Sequence, residues 1–148
     1  MFHVRIWLAL LGILVGVALA ITLSGEPAAA APPPAALAAA LADHGVTLEP
    51  MPGSAATVGP STAVAVAAAE MGGRSPDAMY LGSLTADSIY VDGKAPHDLP
   101  VYAAQFTGLE LYPNIPYGQS PGTGVVHHEQ VVFVDAVSGE YLFAVTVR

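Results

Sequence analysis

The chain contains no cysteine. Disulfides, thiolate metal sites and cysteine nucleophiles are therefore excluded together, while the compartment stays open, because many exported domains also lack cysteine. Basic residues are nearly as scarce. Four Lys and Arg stand against twelve Asp and Glu, a formal net charge of -8. Binding a phosphate backbone needs a basic surface, so no nucleic-acid partner is expected. Charged residues of both signs make up only 11% of the chain, against a typical value of about 25%. Catalytic signatures are missing as well. No HExxH pairs two histidines, and the G-x-S-x-G spacing of "GQSPG" (118–122) has proline after its serine and no helix pattern following, so it does not read as a nucleophile elbow. "GQSPGTG" (118–124) has glycines but neither a lysine nor a helix after it, so it is not a phosphate loop. No cofactor is expected.

What fills the space is apolar. Hydrophobic residues reach 53%, above the usual figure of about 45–50%. One block of them opens the chain: Ile6 to Leu23 are eighteen residues without a charge. At about 1.5 Å per residue that run would be about 27 Å long as a helix, near the hydrocarbon thickness of a bilayer. It exceeds the core of about 7–15 residues usual in a cleaved signal, which favours a retained single-pass anchor through residues 6–23. Small-residue sites at Ala18–Ala20 and Ala28–Ala30 keep signal cleavage, and hence secretion, as the alternative. Arg5 before the run and Glu26 after it orient the C-terminal part outside the membrane.

Composition then divides the chain into three: 1–24 as anchor or signal, 25–56 as a linker rich in alanine and proline, and 57–148 as the folded domain. Pro32–Pro34 favours an extended polyproline stalk. Ala35–Ala42 suits two helical turns closed by Gly45, with Leu37 and Leu41 on one face, read as a stalk helix. The domain itself opens with a helix from Pro60 or Ser61 to Gly72–Gly73, with Val64, Ala67, Ala68 and Met71 on its inner face. Strands follow in "AMYLGSL" (78–84), "SIYVDGK" (88–94), "LPVYAAQFTGLELY" (99–112), "TGVVHHEQVVFVDAV" (123–137) and "EYLFAVTV" (140–147). In the third, Tyr102, Ala104, Phe106 and Gly108 share a face. In the last, Tyr141, Phe143 and Val145 share one and Leu142 and Ala144 the other. With both faces apolar, that strand reads as central or covered by the helix. The turn before it, "DAVSG", lets the Asp135 carboxylate accept backbone N–H groups and Gly139 take positive φ. The expected product is α+β: one helix on an antiparallel sheet of about four strands, in two layers.

That order of elements, with the ending "VVFVDAVSGEYLF", resembles a PepSY domain over roughly Pro60–Val147. The family closes on an apolar strand, Val-Asp-Ala, two residues, Gly and another strand, matched here by Val134, Asp135, Ala136 and Gly139. Ser138 replaces the usual Thr, and the insert at 112–124 departs from the pattern. The resemblance implies an extracytoplasmic interaction or regulatory module, of the kind found in propeptides of thermolysin-type proteases, and it supplies no catalytic residues.

Three groups of residues are candidates for chemistry. His127 and Glu129 point to one side of a strand and His128 to the other, so a metal would need a ligand from a neighbouring element, Glu110 or His97. "KAPHD" (94–98), with Ser120 and Ser138 elsewhere, permits a Ser/His/Asp set in composition only. Tyr112, Ile115 and Tyr117, set among prolines, offer a rigid aromatic contact surface for a protein or peptide, or else cover a sheet edge. The reading is thus a membrane-tethered extracytoplasmic binding or regulatory module without catalytic activity. The alternative is an exported metal-binding or hydrolytic protein using His97, His127 and Glu129.

Overall fold

The computed structural model describes residues 31–109 and 129–147. The membrane-anchor expectation for residues 6–23 and the contact-surface expectation for Tyr112, Ile115 and Tyr117 lie outside them, as do Glu110, Ser120, His127 and His128. Among the described residues no helix is long and apolar enough to cross a membrane.

The architecture is α+β. Two helices, α1 (Ala35–Ala42) and α2 (Pro60–Glu70), accompany five strands: β1 (Val46–Pro50), β2 (Ala78–Ala86), β3 (Leu99–Phe106), β4 (Glu129–Asp135) and β5 (Tyr141–Val147). The strands form one antiparallel meander in the order β1-β2-β3-β4-β5. The strands expected in 78–84, 99–112, 123–137 and 140–147 appear as β2 to β5, but β3 stops at Phe106, and Gly108, expected on its face, takes positive φ (64°) beyond the strand.

Four expectations need correction. The segment 25–56 is not all linker, and the folded unit does not start at Thr57. α1 and β1 belong to the domain, with Leu37, Leu41 and Val46 at most 3% exposed in its core. Polar and proline-rich flanks disguised them: five residues "VTLEP" become a strand only because β2 offers a ladder from Val46↔Ala86 to Pro50↔Gly82. Second, one helix lies on each face, so the sheet is the middle of three layers rather than one of two. Third, "SIYVDGK" is no strand. Asp92 and Gly93 both take positive φ (50° and 77°), giving the tight turn that Asp-Gly favours, but only Val91 and Lys94 bridge across it. Fourth, among the described residues β5 is an edge strand, not a central one.

Each face carries its own core. On the first, Leu37 and Leu41 of α1 pack over Val46, Leu84, Val101, Ala103, Val131 and Phe133. α1 touches both β1 and β5. Among the described residues these are the two outer strands, so α1 lies across this face of the sheet rather than along one strand. On the second face, Ala63 and Ala67 of α2 meet Tyr102, Ala104, Phe106, Val132 and Val134. Of the face expected for α2, Ala67 is buried and Met71 packs against the core; Ala63 joins them, while Val64 and Ala68 are only half-buried. α2 ends where two glycines permit it. Gly73 N–H donates to Ala68 at 2.7 Å and Gly72 to Ala69 at 3.3 Å, with both glycines at positive φ, the Schellman pattern of carbonyl capping.

Gly82, in mid-strand, is explained by close approach. A Cβ there would lie 2.6 Å from Leu48 Cδ1 and 2.7 Å from the Glu49 carbonyl, so only glycine lets β1 seat its leucine against β2.

Candidate functional site

The turn between β4 and β5 organises one end of the molecule. Asp135 Oδ1 accepts the N–H of Val137 at 2.6 Å and of Ser138 at 2.9 Å. Gly139, at φ +80°, donates to the Asp135 carbonyl at 2.9 Å. The turn is also a tertiary clasp, which local sequence did not reveal. The buried Ala136 offers its carbonyl to both Thr57 and Val58 N–H, at 2.8 and 3.0 Å. Tyr102 donates its hydroxyl to the Val58 carbonyl at 2.9 Å, and burial pushes that phenol's pKa upward. The loop before α2, read from its prolines as a connector, is thereby tied to the central strands.

Beyond this turn a groove of about 360 Å³ opens between the β2–β3 loop and the start of β5. Leu99 and Leu142 contribute apolar surface; Asp92, Asp135 and Glu140 bring carboxylates, and Lys94 and His97 face the same space. Of the metal candidates named from the sequence, His97 is the one located here. Its Nδ1 lies 3.2 Å from Asp98 Oδ2, with both side chains nearly four-fifths exposed, a solvated pair rather than a preorganised ligand set.

Glu129 sits at the opposite end of the sheet. It accepts a hydrogen bond from Gln105 Nε2 at 3.1 Å, and Gln105 Oε1 accepts the Tyr80 hydroxyl at 3.1 Å. This chain of three side chains crosses β2, β3 and β4. Burial first, and the Glu129 charge second, raise the Tyr80 pKa. The eight residues of β3 separate His97 from Glu129, roughly 25 Å at about 3.3 Å per residue. The two therefore cannot hold one ion, which removes the joint use of His97 and Glu129. Among the described residues no group of three potential ligands converges on a point. Ser138 is occupied with the turn, its Oγ accepting the Glu140 N–H at 3.2 Å.

A third polar cluster closes the far end of β2 and β3. Asp77 accepts the Thr107 N–H at 2.7 Å and its hydroxyl at 3.1 Å, with Arg74 at 3.3 Å. The Thr107 backbone bond, its hydroxyl and then Arg74 hold the Asp77 carboxyl below the usual range.

The groove was not legible in the sequence. Its acidic and apolar residues come from three separate stretches, and no local pattern joins Asp92 to Glu140. The only signal available was the density of Asp and Glu in two turns. Compared with family models, with curated proteins and with solved structures, the chain finds no match.

Proposed function

We propose that this chain is a membrane-tethered extracytoplasmic binding or regulatory module of PepSY-like character, without catalytic activity of its own. Residues 6–23 provide the tether, and the α+β domain provides the recognition surface. The observation that carries the reading is the groove beside the β4–β5 turn. It is open, it combines apolar lining with carboxylates, and the residues lining it hold no preorganised nucleophile–base pair. Grooves of that kind suit contact with a partner better than bond cleavage, which needs a positioned acid, base or nucleophile.

The test is fractionation of cells expressing the full chain with a C-terminal tag. The reading expects intact chain in carbonate-washed membranes and a tag reached by an impermeant protease. Full-length chain in the soluble cytoplasmic fraction would overturn it.

A further inference from the structure

We infer that β5 and the groove at its start form one continuous docking edge, and that its occupant is an extended basic peptide segment added as a sixth strand. The inference deepens the binding reading above and rests on it.

The backbone supplies the first argument. β5 ends the sheet. Among the described residues none of its peptide groups bonds to a backbone outside the β4–β5 ladder. Edge strands are normally blunted by charge, proline, shortness or a bulge, and of these β5 has only a bulge at its first residues, opposite Phe133 and Val134. β5 is seven residues, "YLFAVTV", without a charge or a proline. Side chains supply the second. Leu142, Phe143 and Ala144 are only half-buried, whereas Val131 to Val134 of β4 beside them are fully buried. These three flank the edge on both faces, where an added strand would cover them.

Charge selects the occupant. Leu142 belongs both to β5 and to the groove, whose rim carries three carboxylates, Asp92, Asp135 and Glu140, against the single ammonium of Lys94. A lysine or arginine projecting from the added strand would lay its aliphatic stem on Leu142 and Leu99 and its cation among Asp92, Asp135 and Glu140. At the other end Glu129 stands opposite Val147; Arg148, next in the sequence, lies outside the described residues. Antiparallel pairing with a second copy would bring the Glu140 end of one β5 toward the Glu129 end of the other. Glu129 lies one strand in from that edge, so what disfavours a second copy is the repulsion of two chains that each carry a net charge of -8.

The experiment titrates full chain in detergent with a labelled ten-residue peptide alternating valine and lysine, and with its valine–glutamate counterpart, read by anisotropy. Amide hydrogen exchange is followed in parallel. The lysine peptide is expected to bind at least tenfold tighter than the glutamate peptide and to slow exchange at Tyr141–Val147. Glu140→Gln with Asp92→Asn should weaken it at least threefold and flatten its salt dependence. Thr146→Pro should abolish binding; because that variant can unfold the edge, Thr146→Lys, checked for an unchanged circular dichroism spectrum, should weaken it at least tenfold. Equal binding of both peptides, no binding, or protection of β5 by self-association alone would each overturn the inference. A tethered chain that ignores the peptide removes the docking edge and leaves the tether standing. A cytoplasmic chain that binds it does the reverse.

Discussion

The two edges of the sheet are built differently. β1 is five residues long, carries Glu49 and ends at Pro50. Its Leu48 is locked against Gly82, and α1 precedes it directly. Charge, proline and shortness are the devices that keep an edge from pairing with a stranger. β5 has none of these in its seven residues. Its one irregularity is a bulge where the register shifts between Phe133 and Val134, which turns only the first residues of the strand. Phe133 and Phe143 stack directly across the ladder, ring centroids 4.8 Å apart, so β5 is held firmly on its inner side, while among the described residues no strand pairs with its outer side.

The comparison can be broken most severely at α1. Leu41→Ala should cost about 2–5 kcal/mol, read by chemical denaturation, because Leu41 is fully buried where α1 packs on the sheet. A stalk helix would show no change. Gly82→Val tests the lock on β1: the new side chain meets Leu48 and the Glu49 carbonyl, and overpacking of that kind costs about 1–3 kcal/mol. Hydrogen exchange should then rise in β1 and not in β5. On the other side, Asp135→Ala removes the acceptor for two N–H groups and should cost about 1 kcal/mol, with faster exchange at the start of β5. Thr146→Lys on the β5 edge should change stability by about 0.5 kcal/mol or less, as surface changes do; a large loss would mean that the outer side of β5 is covered.

The smallest effect lies away from both edges. The Asp77 carboxyl is held below its usual value by Thr107 and Arg74. A depressed folded pKa stabilises above the unfolded value, about 3.9, and that contribution fades as pH falls through the lower folded value. Asp77→Asn should therefore lower the denaturation midpoint slightly at pH 7 and match the parent once the Asp77 carboxyl is protonated in both folded and unfolded chains. A gap that stayed constant down to pH 2 would remove this account.

β5 also shows how far one-dimensional periodicity carries. Alternation assigned Tyr141, Phe143 and Val145 to one face, and Phe143 and Val145 do share it with Val147. Tyr141 does not. The bulge pairs it with Val134, on the α2 side, where burial and then the Glu70 charge raise its pKa. One extra residue in a ladder flips everything beyond it, and nothing in "EYLFAV" announces the extra residue. The same blindness affected Leu37 and Leu41. A pair of leucines four apart looks the same on a free stalk as on a docked helix, since only the partner surface distinguishes them. Of the candidate site residues, His97 and Glu129 were individually visible by type. Their separation by the length of β3 was not.

The sequence by itself determined the local punctuation. Two glycines stop α2, Asp-Gly makes the turn at Asp92–Gly93, and Asp135 with Gly139 shapes the turn into β5, because each depends on bonds and torsions within a few residues. Tertiary structure alone decided that α1 and β1 join the core, that β5 lies at the rim, and that Asp92, Asp135 and Glu140 share a groove. Those outcomes rest on ladders and contacts between segments tens of residues apart, where burial is settled by what arrives from elsewhere in the chain.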